Sequence, residues 1–150
     1  MRAIIQRSLS ASVHISGQLV ASIEKGMVIL LGIEEADEPE DVAWLSKKIC
    51  AMRIFSDEEG KMNRSIEESG GGIIVVSQFT LYASTKKGNR PSFIRAARPD
   101  MAIPLYEKFN QAVETLTGQK VQTGIFGAEM QVALINDGPV TILIDSRQRE

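Results

Sequence analysis

The chain has 150 residues, 43% of them hydrophobic and 24% charged, with a formal net charge of −2. That length carries one hydrophobic core and is too short for two ordinary domains, and the charge balance excludes a protein that coats nucleic acid through bulk positive charge. The single cysteine, Cys50, excludes an intramolecular disulfide and fits a reducing compartment.

In chain order, Ala3–Arg7 and Ala11–Ile15 carry alternating or branched residues and predict two strands, and Ser16-Gly17-Gln18 predicts a hairpin turn into a strand over Leu19–Ile23. Met27-Val28-Ile29-Leu30-Leu31 is a continuous apolar run, the mark of a strand buried on both faces. A helix follows, with Asp37 as its expected N-cap, Pro39 in its first turn, and Val42, Leu45, Ile49 and Met52 as a core-facing stripe flanked by Trp44 and Cys50. Arg53-Ile54-Phe55 predicts a short strand and Asp57–Gly60 a turn. Gly70-Gly71-Gly72 leads into a second buried strand, Ile73–Val76, from whose end Ser77–Leu81 continues.

Ser84–Arg98 has no clear periodicity and predicts an ordered surface loop or irregular helix. A second main helix starts near Pro99 or Asp100, packs Leu105, Phe109, Val113 and Leu116, and stops at Gly118. Pro104 is tolerable there only in the first turn. The tail predicts strands over Val121–Phe126, Met130–Ile135 and Val140–Ile144, with Asn136-Asp137-Gly138-Pro139 as a turn between the last two. No internal repeat or linker divides the chain. The expected fold is one α+β domain over residues 1–150, with mostly antiparallel or mixed β-sheet and about two main helices.

The chemistry is narrowed by absences. The one histidine, His14, has no companions for a Ser-His-Asp triad, and an exposed strand histidine is the simpler reading. No Cys/His spacing fits zinc, and no glycine-rich loop opens a helix. No metal or cofactor is therefore expected. The N-terminal apolar run breaks too early for a signal peptide, and no apolar stretch reaches the roughly 18 residues that cross a bilayer, so a soluble cytoplasmic protein without a membrane partner is expected. Catalysis, if any, must come from positioning, backbone donors or a group on the substrate.

Charge is also uneven. Glu34, Glu35, Asp37, Glu38, Glu40 and Asp41 crowd together, while Ser69 to Pro99 holds no acid but contains Lys86, Lys87, Arg90, Arg95 and Arg98. This patch reads either as a solvated loop or as a contact for one local anionic ligand. Arg7 is a charge in an apolar-leaning strand, and on pattern alone it is a solvent-facing residue as readily as a functional one.

Two segments are more specific. Ser77-Gln78-Phe79-Thr80-Leu81 follows a buried strand, and Asn136-Asp137-Gly138-Pro139-Val140-Thr141 separates two late ones. With Gln6-Arg7, Arg53-Ile54-Phe55-Ser56-Asp57, Gly60-Lys61-Met62-Asn63, Gly88, Arg90-Pro91-Ser92-Phe93, Thr123-Gly124, Phe126 and Met130-Gln131-Val132, they make nearly the whole chain resemble the D-aminoacyl-tRNA deacylase family, also called the D-tyrosyl-tRNA deacylase family. Tyr82–Thr85 and the tail after Asp145 are less family-like.

The resemblance implies a barrel-like fold and a homodimer that hydrolyses the ester of D-aminoacyl-tRNA, with glycyl-tRNA as a further expected substrate. It implies a site of Ser77, Gln78, Phe79 and Thr80, completed by the partner chain's Gly138-Pro139 with a cis peptide bond, and Arg7 bracing that loop. Phe126, Gly127, Ala128 and Met130 are expected to line an adenosine pocket, with core packing as the other reading of Phe126 and Met130. Lys86, Lys87 and Arg90, with Arg95 and Arg98, are candidates for tRNA phosphates. Thr80 is the obvious nucleophile but has no base beside it. The favoured chemistry is therefore help from a ribose hydroxyl of the tRNA with backbone stabilisation of the oxyanion, and a threonine nucleophile is the alternative.

Overall fold

A single long strand, β1 (Arg2–Ile15), organises the computed structural model, which describes residues 1–149. The two strands expected at the start of the chain are one, because β1 finds different partners along its two halves on one edge and the same partner throughout on the other. It reverses through Ser16 and Gly17, with φ of 50° and 79°, into β2 (Gln18–Ile23), which pairs with its second half. Such a two-residue turn matches the twist of the strands it joins. β3 (Gly26–Gly32) pairs antiparallel with the first half.

Helix α1 (Pro39–Ala51) follows, then a small ribbon of β4 (Phe55–Ser56) and β5 (Met62–Arg64), and the single-turn α2 (Ile66–Ser69). β6 (Gly72–Ser77) lies parallel to β3, and β7 (Gln122–Thr123) parallel to β6. Between β6 and β7 runs the long helix α3 (Pro99–Thr117). The last strand, β8 (Gln131–Asp145), lies antiparallel along the whole of β1. With β2 packed back towards β6 and β7, the sheet is a nearly closed, barrel-like α+β fold. Among the described residues no helix is long and apolar enough to cross a membrane.

Period-two alternation splits the β3–β6 pair between two cores. Met27, Ile29, Leu31, Ile73 and Val75 face the helices and pack with Leu45, Ile49, Leu105, Phe109 and Val113. Val28, Ile74 and Val76 face the barrel interior with Ala11, Val13 and Ala21. Both strands are buried on both faces, which is why they read as unbroken apolar runs.

Several expectations are corrected. The N-cap of α1 is Glu38, whose amide donates to the Asp41 carboxylate at 3.0 Å. Asp37 is instead buried and takes the Met1 ammonium at 2.5 Å and the Glu34 amide at 2.8 Å, tertiary partners that outcompete a local cap. Pro104 lies beyond the first turn of α3. The carbonyl it leaves unpaired four residues back belongs to Asp100, which is exposed and can be solvated, and the buried Leu105–Phe109–Val113 face carries the helix through. Leu116 is exposed, and Ala102 and Tyr106 complete the buried face in its place. The strand expected over Val121–Phe126 is only β7, and the one at Arg53–Phe55 is shifted to Phe55–Ser56.

Phe109 is fully buried at the centre of the helix-side core. Phe109→Ala is expected to lower stability by about 3–5 kcal/mol, read as a lower urea midpoint at unchanged slope. A loss well under 1 kcal/mol would contradict this packing.

Candidate active site

β6 ends at Ser77, and Phe79–Tyr82 then form one 3-10 turn. The Gln78 amide donates to the Leu31 carbonyl at 2.7 Å, so the turn stays seated on the end of β3. From below it is held by Tyr82, which is 1% exposed and lies between two guanidiniums, Arg2 at 4.7 Å and Arg95 at 5.4 Å from the ring centroid. Arg2 also donates to the Leu81 carbonyl at 3.0 Å and to Asp145 at 2.8 Å, and Arg95 to Glu34 at 2.7 Å. Burial, then the Asp37, Glu34 and Asp145 carboxylates, push the Tyr82 phenol well above its ordinary range, so it stays neutral and is no proton acceptor near neutral pH.

A cavity of about 250 Å³ opens at the strand end. Ser77, Gln78 and Phe79 line one side, and Phe126, Gly127, Ala128 and Met130, from the segment between β7 and β8, line the other. The structure thus brings together seven residues the sequence reading named from two distant segments. It also adds lining not assigned to the site from sequence: Leu31, Ile33, Val76, Val132, Ala97 and Ala102. Ala97 and Ala102 serve by lacking bulk, and nothing in their local pattern distinguishes them from ordinary small residues.

As the first residues of the 3-10 turn, Phe79 and Thr80 have amides with no acceptor inside it, and no carbonyl elsewhere among the described residues takes them. The side chains diverge. Thr80 lines a different groove, of about 840 Å³, together with Arg2, Ile4, Trp44, Ile142 and Leu143. Its hydroxyl accepts from Gln78 Nε2 at 2.5 Å. His14 lies on β1 beyond the Gly-Pro segment and lines neither space.

The Gly138-Pro139 segment is not a reversal. β8 runs on antiparallel to β1 on both sides of it, paired at Ser8↔Asn136 and again at Gln6↔Thr141, and the residues between bulge outward. The peptide bond Gly138–Pro139 is cis and both residues are exposed. Gly138 has φ +128°, and a Cβ there would lie 2.8 Å from Val140 Cγ2, so conformation and space both demand glycine. Asn136 closes the excursion, accepting from the Val140 amide at 3.2 Å and donating to Gln6 at 2.6 Å.

Arg7 lies beneath it. It is buried, which overturns the reading of a solvent-facing charge. Its Nε is 3.1 Å from both the carbonyl and a carboxylate oxygen of Asp137, and its Nη1 donates to the Ile54 carbonyl at 2.7 Å. Gly138 and Pro139 line neither cavity of their own chain.

Lys86, Lys87 and Arg90 are exposed on a loop closed by paired backbone hydrogen bonds between Ser84 and Ser92 at 2.8 and 2.9 Å. Arg95 is committed to Glu34 and the Tyr82 ring. The Arg98 amide donates to Glu35 at 3.1 Å, while its side chain is exposed at the start of α3.

Comparison with known proteins places this geometry among relatives. Residues 4–145 match the model of the family described as D-Tyr-tRNA(Tyr) deacylase. Proteins named D-aminoacyl-tRNA deacylase from Cytophaga hutchinsonii and Flavobacterium johnsoniae are 65% and 61% identical over 150 residues, covering 100% of both chains in each case. A solved structure called c-Myc DNA Unwinding Element Binding Protein aligns at TM-score 0.90 and 36% identity over 97% of this chain and 98% of its own. One titled as a probable eukaryotic D-amino acid tRNA deacylase aligns at TM-score 0.81 and 18% identity over 95% and 97%, a likeness of fold.

The cavity's far wall depends on Gly124. A Cβ there would lie 2.2 Å from the Met130 sulfur. Gly124→Ala is therefore expected to displace the flexible Met130 side chain at a cost of up to about 1 kcal/mol, and to cost less still in a Met130→Ala background, a coupling a double-mutant cycle measures. Equal costs in the two backgrounds would show that the space behind Met130 is not what this glycine provides.

Proposed function

The chain belongs to the D-Tyr-tRNA(Tyr) deacylase family and is a hydrolase of D-aminoacyl-tRNA, and from that premise we propose that it works as a cytoplasmic homodimer in which each copy's Gly138-Pro139 completes the other's site. The observation that carries this reading is the Gly-Pro excursion itself. It is exposed, braced from beneath by buried Arg7, and outside both cavities of its own chain. That arrangement suits a group lent to a second copy. The exposed apolar Ile135 and Leu143 on the same strand, 58% and 66% accessible, support burial against such a copy.

In this reading the terminal adenine enters the cavity between Phe79 and Phe126, Gly127, Ala128 and Met130, and Ser77 and Gln78 orient the ribose and ester. Main-chain carbonyls of the partner's loop hold the α-ammonium group. With ammonium and ester both fixed, a D side chain points to open space and an L side chain runs into the loop. Glycine, with no side chain to reject, is hydrolysed too.

Water adds to the ester carbonyl, helped by the neighbouring ribose hydroxyl. The amides of Phe79 and Thr80 receive the developing negative charge. The carbon–oxygen bond to the ribose then breaks, the ribose oxygen takes a proton, and free amino acid and tRNA leave. A threonine nucleophile is less well supported, because the Thr80 hydroxyl is bound to Gln78 and its side chain lines the other groove. Lys86, Lys87 and Arg90 meet acceptor-stem phosphates without reading sequence.

Matched D-, L- and glycyl-tRNAs provide the direct test: turnover of the first and last with the L ester spared is expected, and equal cleavage of both enantiomers overturns the reading. Thr80→Ala should keep most activity, while a substrate lacking the terminal 2′-hydroxyl should react at least tenfold more slowly; loss of turnover in folded Thr80→Ala would restore the nucleophile. Charge reversal at Lys86 and Lys87 should raise KM severalfold at low salt and little at high salt, and an unchanged KM would remove that loop from the tRNA footprint.

A further inference from the structure

We propose that Phe93 is a stacking platform for the unpaired nucleotide that precedes the terminal adenosine of the tRNA, a subsite just outside the cavity. The inference rests on reading that cavity as the adenosine pocket.

The two rings form a short track. Phe79 lines the cavity yet is 55% exposed, so it spans the inside and the rim. Phe93 meets it edge to face, with centroids 5.1 Å apart and planes at 76°, and stays 37% exposed without lining the cavity. A base leaving the pocket along this rim therefore meets a second aromatic surface.

The platform is held in place. The Ser84–Ser92 hydrogen bonds close the loop immediately before Phe93, and the Phe93 carbonyl accepts from the Ala96 amide at 3.0 Å. Downstream, the Ala97 amide donates to the Ile33 carbonyl at 2.9 Å. An exposed aromatic fixed on both sides presents its surface with little ordering cost.

The surroundings select the ligand class. The tip of the same loop carries Lys86, Lys87 and Arg90, all exposed, and no acid occurs between Ser69 and Pro99. Aromatic surface interleaved with positive charge fits single-stranded nucleic acid, whose bases stack and whose phosphates pair with cations. Stacking tolerates any base, so the subsite would add affinity without adding sequence preference.

The test compares two esters of the same D-amino acid, one on full tRNA and one on adenosine alone. Phe93→Leu keeps an apolar contact with Phe79 but removes the stacking face. It is expected to lower kcat/KM on the tRNA by roughly 5- to 50-fold, chiefly through KM, and to leave the adenosine ester unchanged. Phe93→Trp should keep the tRNA rate. An equal fall on both esters would make Phe93 a structural support of Phe79 and overturn the proposal. So would an undiminished tRNA rate in Phe93→Leu, or a change in sedimentation showing that the residue serves subunit contact. Should the wild-type protein cleave neither ester, the reading of the cavity fails and the platform with it; a wild type active on both, with Phe93→Leu unimpaired, removes the platform alone.

Discussion

A guanidinium with almost no access to water fixes the exposed Gly138-Pro139 excursion from beneath. Arg7 lies on β1 where β8 bulges away, and it bonds at once to Asp137 and to the carbonyl of Ile54. A charge in that position is tolerable only with its partners in place, since removing one partner of a buried pair costs about 3–5 kcal/mol. The bulge is therefore rigid for a reason lying outside its own four residues. A lysine could neutralise Asp137, but it lacks the planar set of donors that reaches two carbonyls and a carboxylate together.

The second fixed element is the 3-10 turn at the end of β6. One of the cations that hold its Tyr82, Arg95, is itself held by the acidic cluster between Glu34 and Asp41. Glu34 takes Arg95, Glu35 takes the Arg98 amide, Asp37 takes the Met1 ammonium, and Asp41 takes Ser146 and Arg147. Four of the six acids are thus engaged within the structure, while Glu38 and Glu40 stay exposed at the start of α1. Lys86, Lys87 and Arg90 make no ion pair among the described residues, and neither does the exposed Glu129 between the cavity-lining Ala128 and Met130. A protein of net charge −2 in this way carries a cluster of unpaired cations on one loop.

What the sequence made legible follows how local each cause is. The buried runs of β3 and β6, the stripe of α3 through Leu105, Phe109 and Val113, and the Gly118 stop all arise from period or from one residue's conformation, and all were readable. The misreadings share a tertiary cause. Asp37 looks like a helix cap and serves an ammonium from the other end of a strand. Asn136–Pro139 has the composition of a turn, but β1 runs beneath it and holds β8 to one direction. Pattern alone left Arg7 open between a surface charge and a functional one, because its partners, Ile54 and Asp137, are far away in the chain. The cavity's lining was readable in part, from the motif around Ser77 and the segment around Phe126, whereas Ala97 and Ala102 contribute only space, which leaves no mark in a single sequence.

Such a site is poor in reactive side chains, and that poverty is consistent with the selectivity proposed for it. A pocket that recognised D-amino acids through side-chain contacts would have to choose among them, because each contact that favours one side chain penalises another. Exclusion by main-chain atoms acts on the one feature every L residue shares, the direction in which its Cβ leaves the α-carbon. Under that proposal, breadth towards D residues and rejection of L residues come from a single steric constraint, presented by a loop whose own conformation demands glycine at Gly138.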